Sequence, residues 1–331
     1  WGVHPSKISP EWGAQRVKGL SILGIILSIT KKPFVDKQHV ETSLIEEYYY
    51  PKFGPGQMWD KLAERIRQQG GKIEFNHEVT KIAKKQDGTF IVTAKTDDGQ
   101  DATYLCDKII SSMPICDLIK ALPDVPENIY DVATRLPYRD FITVGLLVNK
   151  LLLTNNTDYK TVGNIVPDCW IYVQEHGVKM GRLQIFNNWS PYLVKDLEHT
   201  VWIGLEYFCN EGDELWNMDK SKFIEMAIGE LASIGIINKD DVLDSTQVKV
   251  KKAYPAYFGS YSEFDSVKVY LHTIDNLYCI GRNGQHKYNN MDHSMLTAIE
   301  SVRVIQGRST NEILWKVNTE HEYHEEIRER R

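Results

Sequence analysis

The spacing of apolar side chains along the chain predicts several helices. Met58, Leu62 and Ile66 recur every four positions, so they form one face of an amphipathic helix that Gly70-Gly71 ends. Further helical spacing covers residues 9–29, residues 222–234, and a segment that opens at Met291 and carries Met295, Leu296, Ile299 and Val302. These helices would each bury one apolar face against the rest of the protein.

Alternating apolar and polar positions predict strands between the helices. Residues 72–75 alternate, and Asp87-Gly88 and Asp98-Gly99 are hairpin signals that follow. The run from Lys108 to Pro114 predicts a buried strand closed by proline. The middle of the chain carries five more strand candidates, over 141–148, 170–174, 182–186, 201–208 and 246–253. We therefore predict an α/β fold of mixed α+β type, with a largely antiparallel sheet and a core of its own in the middle region.

Composition narrows the class of protein. A chain of 331 residues suggests roughly two domains. A net charge of -6 argues against broad nucleic-acid binding, which favours a basic face. Five scattered cysteines with no CxxC pair predict reduced, mostly buried thiols in a cytoplasmic protein and no metal site. The most apolar stretch, residues 20–29, is about half of what a membrane span needs.

Residues 281–292, with the sequence GRNGQHKYNNMD, are the most informative segment. They follow a strand-like run, residues 277–280, and lead into the helix that opens at Met291. A strand, a glycine turn and a helix N-terminus together favour an anionic or phosphorylated ligand. An ordinary strand-to-helix turn is the alternative.

Two parts of the chain resemble known flavoproteins. The turn Gly54-Pro55-Gly56-Gln57-Met58-Trp59, its helix, and the strands through Val79 and Ile82 resemble the middle of flavin-containing amine oxidases and protoporphyrinogen oxidases. The resemblance implies that the backbone of Val79 lies against the adenosine half of FAD. The strand ending at Met113-Pro114 matches the segment that closes this part of the flavin domain.

The C-terminal segment is similar to UDP-galactopyranose mutase, a member of the same superfamily. The matching positions are Gly281, Arg282, Gly284, Tyr288, Met291 and Asp292. The resemblance implies that Arg282 lies near the flavin, that Tyr288 contacts the substrate diphosphate, and that the helix opened by Met291 and Asp292 points at the flavin. Asn290 stands where the mutases have an acidic residue, which weakens the mutase interpretation.

The candidate residues around this segment have simpler alternatives. Arg282 would pair with the negative charge of the flavin or of a substrate phosphate, or else form a salt bridge. Tyr288 is a hydroxyl donor or a packed aromatic ring. Three further residues would make the entrance of this candidate ligand site basic: His286, Lys287 and His293. Each of them by itself is expected to be a solvated turn residue.

Further substrate candidates lie upstream. Tyr254 and Tyr257 wall a substrate pocket or pack in the core. Arg182, on a predicted strand, is a weaker substrate candidate. No catalytic residue and no metal ligand can be assigned, because no Ser-His-Asp, Cys-His or metal-ligand spacing is present.

The dinucleotide turn Gly-x-Gly-x-x-Gly, with which the superfamily begins, is not found in the sequence. Gly54-Pro55-Gly56 is followed by Trp59 where the third glycine would fall. Because the chain also begins with Trp1 rather than Met, we expect the C-terminal part of a longer protein. FAD would then be held by the full-length protein, and this part alone would be without it.

The resemblance implies two discontinuous domains and a flavoenzyme function. An incomplete FAD-binding-type domain is expected over 51–118 and 268–310, a substrate domain over 1–50 and 119–267, and a charged tail over 311–331. The expected function is that of an FAD-dependent oxidoreductase that passes hydride equivalents from a small-molecule substrate to the flavin. The alternatives are a mutase-like isomerase that acts on a nucleotide sugar with reduced flavin, and a cofactor-free, non-catalytic fragment.

Overall fold

The structure of the protein is a computed structural model that describes residues 2–9 and 49–318. Nearly all of the helical pattern predicted over residues 9–29 lies outside these ranges, as does the charged run 320–331. No helix among the described residues combines the length and the apolar character that crossing a bilayer requires.

The described residues form ten strands. Their bounds are β1 His77–Lys84, β2 Phe90–Thr96, β3 Asp101–Cys106, β4 Ile109–Ser111, β5 Tyr138–Val148, β6 Trp170–Tyr172, β7 Arg182–Ile185, β8 Val201–Cys209, β9 Val242–Pro255 and β10 Leu277–Cys279.

The same ranges contain ten α-helices, some of a single turn. They are α1 Gly56–Gln68, α2 Ile115–Ala121, α3 Glu127–Thr134, α4 Phe186–Trp189, α5 Glu214–Asn217, α6 Lys220–Ser233, α7 Phe264–His272, α8 Gly281–Gly284, α9 Met291–Ile305 and α10 Asn311–Lys316. Short 3₁₀ turns lie at Pro5–Lys7, Val162–Asn164, Pro191–Leu193, Lys239–Asp241 and Gly259–Glu263.

The chain folds into two compact units. Among the described residues, the first unit contains Gly2, Tyr49–Glu74 and Arg139–Ala253, and the second contains residues 3–9, Phe75–Tyr138 and residues 254–318. Helix α1 belongs to the first unit, where the Ser190 hydroxyl donates a 2.7 Å hydrogen bond to the Lys52 carbonyl just before it. The roles of the predicted ranges as cofactor and substrate domains stay predictions.

The first unit is built on a five-stranded sheet in the order β6-β7-β8-β5-β9. The pairs β6–β7, β7–β8 and β8–β5 are antiparallel, and alternate residues of β5 such as Ile142, Val144 and Leu146 are fully buried. Helix α6 covers this buried face because Phe223, Ala227 and Leu231 recur every four positions on one side of it. The helix starts where the Asp219 carboxylate accepts two backbone N–H groups. The predicted antiparallel sheet with its own core is confirmed.

The second unit combines an antiparallel sheet with a parallel strand pair. Strands β1, β2 and β3 form a meander whose turns contain Gly88 and Gly99, both with positive φ, as the hairpin signals predicted. Strands β4 and β10 pair in parallel, with Cys279 opposite Ser111. Their apolar side chains join helices α2, α3, α7 and α10 in a second core. Because both strands of a parallel pair point the same way, their carboxyl ends lie at one edge.

Two predicted local features are wrong. Residues 72–75 are not a strand, and β1 begins only at His77, after Asn76 in the left-handed region (φ 58°). Residues 311–318 are not a free tail, because α10 buries Leu314 and Trp315 in the second core. Apolar alternation over four residues without a pairing partner does not make a strand, and a short packed helix is hidden by its charged neighbours.

The apolar stripe of α9 faces the opposite way to the expected one. Met291, Leu296, Ile299 and Val302 are between 39% and 51% exposed, whereas the polar Thr297 and Ser301 are fully buried. The apolar positions of α1 are also exposed. The spacing therefore predicted the helices correctly, but not which side of α9 packs within the described residues.

Candidate functional site

The glycine turn after β10 takes the shape that the sequence predicted. Gly281 has φ 75°, a conformation that residues with a side chain rarely adopt. Its N–H donates a 2.8 Å hydrogen bond to the hydroxyl of Thr297 on α9. The turn joins the carboxyl end of β10 to one turn of helix, α8, and then to a loop that leads into α9. Sequence reasoning did not identify Thr297, because this residue lies more than one helical turn beyond the end of the motif at Asp292.

Gly284 serves a different need, since the chain passes very close to another strand. A Cβ on Gly284 would lie 2.6 Å from the Ser111 carbonyl oxygen and 3.2 Å from the Ser112 Cα. Both of these are backbone atoms at the end of β4, so they cannot rotate away. The glycine therefore lets α8 pack directly against the end of the neighbouring strand.

Replacing Gly284 with alanine is expected to lower the free energy of unfolding by about 1–3 kcal/mol, because the added methyl group overlaps fixed backbone. Urea unfolding followed by circular dichroism measures the change. Gly229→Ala is the control, since Gly229 lies within α6 with no atom within 4 Å of an added Cβ. That control is expected to be neutral or to stabilise by about 0.5–1 kcal/mol. Equal effects of the two substitutions would contradict the close-approach argument.

The Arg282 guanidinium contacts two stacked tyrosine rings. Its Cζ lies 4.9 Å from the centroid of the Tyr288 ring and 5.3 Å from that of Tyr254, within the range of cation–π attraction. The two rings stack at 5.6 Å and 17°. Arg282 Nε also donates a 2.7 Å hydrogen bond to the Asn289 carbonyl. The structure thus brings Arg282, Tyr254 and Tyr288 together, although their predicted binding roles stay predictions.

Tyr257 supports this cluster from the interior. Its hydroxyl accepts a 2.6 Å hydrogen bond from the Tyr288 backbone N–H, and its ring stacks on Tyr261 at 4.5 Å. The side chain is only 1% exposed. This position matches the core-packing alternative, and a direct contact of Tyr257 with substrate stays a prediction.

His286 and Lys287 are buried, so their expected place as solvated turn residues is wrong. They are 1% and 7% exposed. The His286 ring lies 4.7 Å edge-on from Tyr138 and also contacts Tyr261 and Phe264, while its Nε2 is 3.1 Å from the Ala256 carbonyl. Burial lowers the pKa of His286 to about 4, so the ring is neutral at pH 7 and donates from Nε2. Polar residues in a predicted turn do not indicate that the turn is buried.

Acidification is expected to destabilise the protein through His286. The pKa of this histidine falls from an ordinary 6.5 to about 4 on folding, so stability is lost as the pH drops from 6.5 towards 4, where the unfolded chain binds a proton that the folded chain does not. The full loss is about 3 kcal/mol. The variant His286→Gln keeps a donor for Ala256 and does not titrate. Urea unfolding at pH 7 and pH 4.5 should show a smaller pH-dependent loss in the variant, and parallel pH curves would contradict the assignment.

The N-terminus of α9 carries its own negative charge. Asn290 is the N-cap residue, and Met291 and Asp292 are exposed in the first turn. The pKa of Asp292 is lowered, chiefly by the hydrogen bond from His293, whose Nδ1 lies 3.2 Å from the carboxylate. A carboxylate there is stabilised by the helix dipole and takes up part of the positive potential that an anionic ligand would use.

Val79 and Arg182 both lie on strands, Val79 in the second unit and Arg182 in the first. Val79 is in β1 opposite Ala94, beside an irregularity in the strand register, and packs at the edge of the second core. Arg182 is in the first unit, where it forms an ion pair with the buried Glu206 carboxylate and lies under 5 Å from the rings of Trp170 and Phe208. Their predicted roles in cofactor and substrate binding are not decided by these contacts.

The described residues contain no group of histidine, cysteine and acidic side chains that could hold a metal ion. The five cysteines are free thiols, and burial raises the pKa of Cys279 to about 12.

A parallel strand pair ending in a glycine turn, beside helices and antiparallel sheets, is the α/β architecture of flavin amine oxidase-like structures. The sequence profile of flavin containing amine oxidoreductases matches residues 26–301, and the chain belongs to this family. No curated protein matches the chain.

Two solved structures show the same fold. Reduced UDP-galactopyranose mutase superposes with a TM-score of 0.71 at 21% identity, over 98% of this chain and 67% of the mutase. A protein assigned as a protoporphyrinogen oxidase, from Exiguobacterium sp. 255-15, gives 0.53 at 14% identity, over 76% of this chain and 51% of its own. The chain thus spans about two thirds of the mutase and about half of the oxidase. At these identities the likeness is one of fold.

Proposed function

We propose that the protein is an FAD-dependent oxidoreductase of the amine oxidase and protoporphyrinogen oxidase type, which passes hydride equivalents from a small-molecule substrate to the flavin. Membership of the flavin containing amine oxidoreductase family, over residues 26–301, is the observation that carries the proposal. Because the chain covers only part of the length of its structural relatives, the activity is proposed for the complete protein.

The turn after β10 is suited to the cofactor. Gly281 adopts positive φ, and the nearest non-neighbouring atom to a Cβ placed there is the Ser112 Cβ at 3.9 Å, so the backbone conformation of the turn, and not crowding, favours glycine. Ligands of α/β sheets bind outside the carboxyl ends of parallel strands, where this turn lies. We assign cofactor contacts to Gly281, Arg282, Gly284, Met291 and Asp292, with Val79 as a further contact.

The protein would supply position and charge. When bound, the flavin ring provides the redox chemistry. Arg282 provides a positive charge whose orientation is set by two tyrosine rings and the Asn289 carbonyl, so little conformational freedom is lost when it meets an anion. Tyr288 and Tyr254 carry hydroxyl groups on the rings that contact this guanidinium.

A mutase-like isomerase that acts on a nucleotide sugar with reduced flavin is the second candidate. The grouping of Arg282 with Tyr288 and Tyr254 favours it, since a planar guanidinium oriented by aromatic rings suits a diphosphate. The third candidate, a cofactor-free binding fragment, would have the same cluster without redox chemistry.

The visible absorbance spectrum tests the flavin proposal, using the protein expressed from its whole reading frame. A yellow protein with a flavin band is expected, and a colourless one after incubation with FAD would overturn both flavoenzyme candidates. Oxygen uptake with amines and porphyrinogens, compared with UDP-galactopyranose interconversion under reducing conditions, then separates the oxidoreductase from the isomerase.

A further inference from the structure

Residues 311–318, here called the C-terminal strap, are tied to the loop that follows Arg282. The ammonium group of Lys287 donates hydrogen bonds to the carbonyl of Trp315 at 3.2 Å and to that of Val317 at 2.6 Å. These carbonyls lie at the C-terminal end of α10, where a cation is also favoured by the helix dipole. Lys287 therefore anchors the loop to the strap.

A path of hydrogen bonds leads from the last described residue to the guanidinium. Asn318 Nδ2 donates to the Asn289 side-chain oxygen at 3.0 Å and to the Tyr288 carbonyl at 3.3 Å. Asn289 Nδ2 in turn donates to the Gly281 carbonyl at 3.2 Å. The Asn289 backbone carbonyl accepts the hydrogen bond from Arg282 Nε at 2.7 Å. Asn318 thus fixes the residue that orients Arg282.

Burial makes this path difficult to rearrange. Asn289, Lys287 and Asn318 are 1%, 7% and 8% exposed. A buried polar group that loses its partner is destabilised, so each bond favours one loop conformation over others. Gln285, 1% exposed, adds a bond to the Leu314 carbonyl at 3.2 Å. The loop and the strap therefore form one hydrogen-bonded block.

We propose that the C-terminal strap is a positioning element of the candidate site, with Asn318 and Lys287 as positioning residues for Arg282. The strap sets the Asn289 carbonyl, and this carbonyl together with the two tyrosine rings sets the guanidinium. The positioning itself is independent of which ligand binds; only the identity of the anion that Arg282 meets rests on the proposed function.

The test substitutes Asn318 with glycine, which keeps the backbone conformation because Asn318 has φ 61°. The rate at which phenylglyoxal modifies Arg282, followed by peptide mass spectrometry well below the melting temperature, reports how firmly the guanidinium is held. We expect modification about 3–10-fold faster in Asn318→Gly than in the unsubstituted chain, since the hydrogen bonds from Asn318 to Asn289 and Tyr288 are lost. Lys287→Met should act in the same direction.

Lys316→Ala is the matched control within the strap. Lys316 is exposed and pairs with Glu312 on its own helix, so its loss should leave the rate unchanged. A lower melting temperature with an unchanged rate in Asn318→Gly would mean a purely structural role and overturn the proposal. Titration with FAD and with UDP tests the ligand separately. If Arg282→Ala alters neither affinity, the ligand role of Arg282 fails, whereas the modification rates still decide the role of the strap.

Discussion

Replacing Arg282 with alanine is expected to weaken the binding of an anionic ligand by about 10–100-fold in the protein expressed from its whole reading frame. A hydrogen bond to a charged group contributes about 1.5–3 kcal/mol, and each 1.4 kcal/mol is about tenfold in affinity. The effect should reach this range because the guanidinium is already oriented by Tyr254, Tyr288 and the Asn289 carbonyl. Fluorescence titration with FAD, and calorimetric titration with UDP, measure it.

The two titrations separate the candidate functions. A loss for FAD alone supports contact with the cofactor, and a loss for UDP alone supports the nucleotide-sugar candidate. Arg282→Lys keeps the charge but not the planar guanidinium. The affinity of this variant for the ligand should therefore lie between that of the unsubstituted protein and that of Arg282→Ala. Arg303→Ala removes an exposed arginine that pairs with Glu300 and should change neither affinity more than about twofold. If Arg282→Ala behaves like Arg303→Ala, the site assignment is wrong.

Replacing Glu230 with alanine is expected to cost about 3–5 kcal/mol of unfolding free energy, the largest stability effect predicted for this chain. The carboxylate is 8% exposed and accepts hydrogen bonds from the Lys179 N–H at 2.7 Å, the Met180 N–H at 3.2 Å and the Tyr207 hydroxyl at 3.0 Å. Alanine would leave the Met180 N–H and the Tyr207 hydroxyl buried without this acceptor. Burial, and then the nearby Glu230 charge, raise the pKa of Tyr207, so its hydroxyl stays protonated as a donor.

Urea unfolding followed by circular dichroism measures this cost. Glu230→Gln keeps one acceptor oxygen and should lose less. Glu225→Ala, at an exposed position on the same helix α6, should change stability by no more than about 0.5 kcal/mol. A cost below about 1 kcal/mol for Glu230→Ala would show that water or a shift of the chain replaces the carboxylate.

Periodicity predicted most elements, because a strand or helix that buries one face must repeat its apolar residues every second residue or every three to four. Helix α6, the strands of the first-unit sheet, and the β10–turn–α9 sequence were found in this way. Residues 72–75 show where it fails, since alternation creates a strand only when a partner strand is present. The exposed apolar face of α9 shows a second limit. The spacing of apolar residues predicts that they share one face of a helix, but not whether that face packs against the rest of the protein.

The candidate site was predicted in part for the same reason. Gly281 and Gly284 mark a turn in any sequence, but the two glycines serve different needs, one a left-handed backbone and the other contact with Ser111. Thr297 and Asn318, which hold the turn, carry no signal of their own. They act through hydrogen bonds made across 16 residues of sequence for Thr297 and across 29 and 30 residues for Asn318.

The amino-acid sequence by itself determined the periodic elements, the glycine turn between β10 and α9, and the family through its motif residues. These are local properties, set by side-chain spacing and by the backbone freedom of glycine. Only the tertiary structure decided that His286 and Lys287 are buried, that residues 311–318 are packed rather than a tail, and that Arg282 contacts the rings of Tyr254 and Tyr288. Those outcomes depend on long-range packing, in which the burial of a polar group is stable only if distant residues supply its hydrogen-bond partners.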